Sequence, residues 1–244
     1  MKKVLVVGGA NGIGLTIVKT LTAKDEIEKV YVLDKVPLAE LYLEKKIESQ
    51  VFDLTNADYS VFGQYSEIDT LIVTAGFGRL DLFQDIPEEM IATYFNVNTI
   101  AVIRIIKHFY DKLLSQSDFY CGILVSISGM ISSPFFSLYS ATKAALHRFI
   151  ESVNVELEKS GSKNRILNVS PGAIKGTRFY GGENDLFLTQ PLAKEILESM
   201  WHRELLYIPR YEEVYRDVIA RYQTNPHQFG LESYDYKVKT IKNR

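Results

Sequence analysis

A chain of 244 residues, 46% of them hydrophobic and 24% charged, is long enough to bury a substantial core and has the length of one α/β domain. The formal charge of −2 at pH 7 comes without a sustained basic run, which argues against nucleic acid as a principal partner, and no apolar run reaches the length that spans a bilayer. Cys121 is the only cysteine, so an intrachain disulfide is excluded; its place in an apolar strand reads as an inert buried thiol, and a soluble, reducing, cytoplasmic setting without a signal peptide is expected.

Residues 2–7 form a short β-branched run that breaks into Gly8-Gly-Ala-Asn-Gly12-Ile-Gly14 and resumes as the amphipathic stretch 15–21, which reads as strand, glycine turn, helix. Glycines at 8, 12 and 14 permit a tight turn, close approach of a pyrophosphate and packing of helix on strand, while the first N–H groups of the helix face the phosphates. The spacing is Gly-x-x-x-Gly-x-Gly, not the Gly-x-Gly-x-x-Gly of the standard dinucleotide fingerprint. A second strand, 30–34, ends in Asp34, 20 residues beyond Gly14. A carboxylate there suits the two hydroxyls of an adenosine ribose and repels a 2′-phosphate; the alternatives are a strand-end or turn cap before Pro37, and Lys35 leaves NADP open. Strand-like runs at 50–54, 70–73, 122–128, 165–169 and 205–208 alternate with helical patterns, which predicts a parallel sheet covered on both faces. Between them, 92–114 reads as one long apolar helix and 144–157 as another.

Tyr139 and Lys143 stand four residues apart in a helical stretch, so their Cβ atoms are roughly 5–6 Å apart. The lysine cation favours the phenolate, moving a phenol that titrates near pH 10 towards neutrality and making Tyr139 a candidate general acid/base. A Tyr-x-x-x-Lys alone is weak evidence. Together with the glycine turn 8–14 and Ser170-Pro-Gly172, in that order and spacing, it resembles the short-chain dehydrogenase/reductase family over residues 3 to about 209.

That resemblance implies a Rossmann-type doubly wound α/β sheet of about seven parallel strands with helices on both faces, in one domain over 1–244. It implies an oxidoreductase using NAD, with NADP as the alternative. Carried over by position, Gly8, Asn11, Gly12, Ile13 and Gly14 form the phosphate turn, Asp34 selects NAD and Asp53 contacts the adenine. Leu54, Ala75, Gly76, Pro171, Gly172, Ile174 and Thr177 complete the cofactor's surroundings, together with Tyr139 and Lys143. Val73 and Thr74 stand where the family has two asparagines, and Pro171 to Thr177 is one residue longer than its Pro-Gly-x-x-x-Thr. Asn98, in preference to Asn96, matches the asparagine that holds a water between lysine and solvent. The family's serine lies 13 residues before the tyrosine, which gives Ser126; aligning the strand end gives Ser128, the favoured choice because it shares a strand face with Ser126 and lies nearer the carboxyl end.

On this resemblance Ser128 hydrogen-bonds the substrate carbonyl, Tyr139 protonates its oxygen as hydride arrives from the nicotinamide, and Lys143 also orients the ribose. No metal is required, and His108, His147, His202 and His227 lack ligand spacing. Residues 172–201 are expected to hold a substrate lid. Phe135, Phe136, Phe179, Tyr180 and Phe187 predict a small-molecule substrate that is a hydrophobic carbonyl or secondary alcohol. The helical patterns at 92–114 and 144–157 suit, by resemblance, a homodimer or homotetramer. Beyond a last helix at 212–222, the extension 223–244 carries Lys237, Lys239, Lys242 and Arg244, read as a solvated tail. Two alternatives stand beside the NAD-dependent enzyme: an NADP-dependent carbonyl reductase, and a non-catalytic dinucleotide-binding regulatory or scaffold protein.

Overall fold

The structure is a computed structural model that describes residues 1–242 apart from 57, 178 and 180–182. Seven strands, β1 (Lys3–Val7), β2 (Lys29–Asp34), β3 (Ile47–Val51), β4 (Thr70–Val73), β5 (Tyr120–Leu124), β6 (Ile166–Val169) and β7 (Leu206–Tyr207), form one sheet in the order β3-β2-β1-β4-β5-β6-β7. Every pairing is parallel. The Rossmann-type architecture read from the sequence is therefore present. The order reverses between β1 and β4, so their carboxyl ends open the crevice in which such sheets bind ligands.

Alternation along β1 supplies both cores. Val4 and Val6 pack with α1 (Gly12–Thr22) and α6 (Leu186–Trp201), whereas Leu5 and Val7 pack with α3 (Ala101–His108) and α5 (Ser137–Lys159). A strand buried on both faces must be apolar at every position, which explains the uninterrupted Val-Leu-Val-Val.

Five elements differ from the sequence reading. β3 lies at Ile47–Val51 instead of 50–54, because the Asp53 carboxylate accepts the Thr55 N–H at 2.8 Å and turns the chain away from the sheet. β5 ends at Leu124, and Ser126 caps a 3₁₀ turn at Ile127–Gly129. Strand alternation thus does not apply to Ser126 and Ser128, which removes the reason for placing them on one face. The long helix at 92–114 is broken into α2 (Glu88–Phe95), a π-helical turn at Asn96–Ile100, α3 and α4 (Tyr110–Leu114). Residues 186–201, within the expected lid, are α6, capped by Asp185 and anchored by buried Leu192, Ile196 and Met200. The extension is helical: α7 (Arg216–Thr224) is followed by α8 (Pro226–Lys242), which starts with proline at its first position. No helix among the described residues is long and apolar enough to cross a membrane.

Candidate active site

The glycine turn joins β1 to α1 at the crevice. Gly8 has φ +91°, and a Cβ there would stand 2.4 Å from the Ala75 nitrogen. At Gly14 a Cβ would meet the Gly8 carbonyl oxygen at 2.1 Å, so the β1 end, the β4 end and the start of α1 touch backbone to backbone. Thr74, standing where the family has asparagine, donates its hydroxyl to the Gly8 oxygen at 2.9 Å and holds the turn. Asp34 sits at the end of β2 with Oδ2 accepting the Ala10 N–H at 3.0 Å and Oδ1 accepting the Val36 N–H at 3.3 Å. Its carboxylate is thereby fixed beside the turn.

Other expected cofactor positions divide. Asn11, Gly12 and Gly76 lie at the turn or beside Lys143, and Ile13 and Leu54 are buried, so their side chains serve the core. Asp53 is exposed, and its hydrogen bonds to the Thr55 N–H and hydroxyl hold its carboxyl below the usual carboxylate range. Thr177 donates its hydroxyl to the Ile174 oxygen at 3.0 Å and packs against Gly12. Thr177 therefore lies beside the glycine turn. Asn184 also reaches it: its Oδ1 accepts the Gly12 N–H at 2.8 Å, and its Nδ2 donates to the Asn11 Oδ1 at 3.2 Å.

Tyr139 and Lys143 are both buried on the inner face of α5. The Lys143 Nζ lies 5.7 Å from the Tyr139 ring centroid and donates to the Leu124 oxygen at 2.9 Å, at the carboxyl end of β5. Burial lowers the lysine pKa to about 8. Asn98 is fully buried in the π-helical turn. Its Oδ1 accepts the Phe77 N–H at 2.9 Å, and its Nδ2 donates to the Phe77 oxygen at 2.8 Å and to the Thr142 hydroxyl at 3.3 Å. The neighbouring Thr99 hydroxyl donates to the Thr142 oxygen at 2.9 Å, so the π turn aims two adjacent polar side chains at α5. Through them the loop after β4 is fixed to the helix bearing the tyrosine and lysine.

A family profile described as short chain dehydrogenase matches residues 2–185. The chain belongs to this family. An uncharacterised oxidoreductase of Staphylococcus epidermidis is 25% identical over 215 residues, covering 82% of this chain and 90% of the relative. A short chain dehydrogenase of Pseudocercospora fijiensis is 25% identical over 234 residues, covering 87% and 71%. Among solved structures, the short-chain dehydrogenase of Sphingobium yanoikuyae in complex with NADPH has a TM-score of 0.76 at 23% identity, covering 92% of this chain and 94% of that one. The short chain dehydrogenase/reductase of Burkholderia phymatum in complex with NAD has a TM-score of 0.75 at 16% identity, covering 92% and 96%.

In this short-chain dehydrogenase the two serines have different surroundings. Ser126 is buried; its Oγ accepts the Ser128 N–H at 3.1 Å and donates to the Pro171 oxygen at 3.4 Å. Ser128 is half-buried, and its carbonyl accepts the Ser140 hydroxyl at 2.6 Å, near the start of α5. Ser126 therefore adjoins Pro171 and Gly172, the pair expected beside the nicotinamide.

Aromatic rings enclose Tyr139. Ring centroids lie 5.7 Å from Phe136 and 5.3 Å from Phe179, and a Cβ on Gly78 would touch both Phe179 and Tyr139 at 2.9 Å. Phe135 turns aside with φ 66° to meet Tyr234, Phe187 is 85% exposed and outside the wall, and Tyr180 lies outside the described residues. Phe77 and Tyr94, 4.5 Å apart, extend the wall and were missed in the sequence because neither belongs to a motif. Tyr215 was missed as well; its hydroxyl fills the space a side chain at Gly172 would need. His147 is buried, and its Nδ1 lies 2.6 Å from the Asn168 Nδ2.

Proposed function

We propose that this enzyme transfers hydride between NAD and an apolar carbonyl or secondary alcohol, with Tyr139 as proton donor and acceptor. The observation that carries the reading is the buried Tyr139–Lys143 pair at the carboxyl end of β5, facing a glycine turn at the point where strand order reverses. The chain fits a dinucleotide in two ways: Gly8 and Gly14 leave the turn without side chains, and the Asp34 carboxylate is fixed at the end of β2. A bound nicotinamide supplies the hydride.

The protein's part is position and charge. Lys143, still largely protonated at pH 7 with its pKa near 8, biases the phenol of Tyr139 towards proton exchange and offers N–H donors to a ribose. Ser126 replaces Ser128 as the serine that holds the substrate oxygen, since it is the one joined to Pro171. Asn98 fixes the loop after β4, and Phe136 and Phe179 exclude water from the phenol. We place this single domain in the cytoplasm as a homodimer or homotetramer; Ile100 and Val155, exposed on the outer faces of the π turn and α5, suit a helix-pair interface.

NADP is the second reading, supported by Lys35, which is exposed next to Asp34 and whose charge helps hold down the Asp53 carboxyl. Titration with NADH and NADPH, followed by nicotinamide fluorescence, separates the two. Tighter NADH binding that weakens tenfold or more in Asp34→Ala is expected; preference for NADPH moves the reading to a reductase, and binding of neither ends it. On a carbonyl panel, Tyr139→Phe and Ser126→Ala should each lose about 10²-fold or more in kcat. A larger loss in Ser128→Ala than in Ser126→Ala would return the role to Ser128.

A further inference from the structure

Lys237 was expected in a solvated tail, but it lies half-buried on α8 against the loop that leads into α5. Its Nζ donates to the Ser133 hydroxyl and the Pro134 oxygen, both at 2.7 Å, and stands 5.4 Å from the centroid of Phe136. Phe136 is also one of the two rings against Tyr139. The ammonium and the phenol therefore flank the same aromatic ring.

The electrostatic setting of this lysine is unlike that of the lysines paired on the surface. Lys3, Lys19, Lys29 and Lys163 each meet a carboxylate. Lys237 forms no ion pair among the described residues, and both its acceptors are neutral. Asp81, linked to the same loop, binds the Phe135 oxygen through its backbone N–H and makes no ion pair with Lys237. An ammonium has three N–H donors, and these two acceptors leave one for a ligand. A cation already withdrawn from water attracts an anion more strongly than a solvated one, because part of the desolvation cost has been met in folding. Burial pushes its pKa down to about 8, in keeping with a charge that lacks a counter-ion.

Resting on the hydride-transfer reading above, we propose that Lys237 is a specificity-determining residue that binds the carboxylate of the substrate. The substrate class is then an oxo or hydroxy acid in which an apolar segment, seated along Phe136 and Phe179, separates the reacting carbon from a free carboxylate. The apolar wall selects the middle of the molecule and the lysine selects its far end.

The test uses matched pairs of ketones that differ only at the far end: para-acetylbenzoate against para-acetylbenzamide, and the corresponding pair lengthened by two methylenes. For at least one pair the full-length protein should prefer the acid by tenfold or more in kcat/KM. In Lys237→Gln, which keeps a hydrogen-bond donor without the charge, that ratio should collapse towards one through a rise in the KM of the acid. Lys237→Arg should keep most of it. Equal kcat/KM for acid and amide in the unaltered protein overturns the carboxylate assignment and leaves hydride transfer standing. Absence of turnover for every ketone, with cofactor bound, overturns the hydride-transfer reading and this class with it.

Discussion

Lys143 shows how much a single position contributes and what it costs. Its folded-state pKa, about 8 against an ordinary 10.5, is lowered by burial, so between those values the unfolded chain holds a proton that the folded one has released. Stability contributed by this group therefore rises with pH from about 8 to about 10.5, and below 8 the burial penalty is present in full. Lys143→Met should thus be more stable than the parent at pH 7 by about 1–3 kcal/mol, after loss of the bond to Leu124, while turnover is abolished. Thermal melts at pH 7 and pH 10 check this: the variant's advantage should shrink at the higher pH, and a variant that melts lower at pH 7 would refute it. Tyr139, Lys143, Asp34 and the glycines were legible because each depends on local spacing. The family's spacing already offered Ser126, but the proposal to prefer it to Ser128 rests on β5 stopping at Leu124, which local spacing does not show, and the support from Thr74 became visible only once β4 lay beside the turn.

Among the elements, the strands announced themselves through β-branched runs, whereas the breaks between helices did not. Nothing in residues 92–114 marks a π turn; it forms where Asn98 and Thr99 find partners on Phe77 and Thr142, far away in sequence. Helix α8 escaped notice for a similar reason, because its mixed sequence has no clear apolar stripe and its place is set by Tyr234 and Lys237 meeting the loop before α5. The segment leading into α6 carries a prediction of its own. Asn184 satisfies the Gly12 N–H at the start of α1, where on the proposed reading a phosphate would be received, so it would compete with the cofactor for that donor. Asn184→Ala should tighten dinucleotide binding about threefold to tenfold in a fluorescence titration, and weaker binding would show that Asn184 helps to hold the ligand.

At the scale of the molecule, two apolar cores on opposite faces of the sheet account for the helices, and buried polar groups tie their ends together. Asn164 is the clearest example. Fully buried, it accepts the Phe119 N–H at 3.0 Å and an Arg203 N–H at 2.8 Å, and its Nδ2 lies within 3.1 Å of the carbonyl oxygens of Lys112, Ser115 and Ser117. It joins the end of α4, the start of β5, the approach to β6 and the turn after α6. Asn164→Ala should lower unfolding free energy by about 3 kcal/mol in urea titration, with kcat per folded molecule within twofold of the parent; a change below about 0.5 kcal/mol would dismiss the linking role. The solitary Cys121 has a practical consequence. Its thiol is enclosed in the sheet and held protonated by burial, so it is silent towards maleimide dyes. Phe187→Cys, at the exposed start of α6, would then give the folded protein one reachable label, from which the approach of that helix to the glycine turn can be timed by fluorescence with no cysteine removed beforehand.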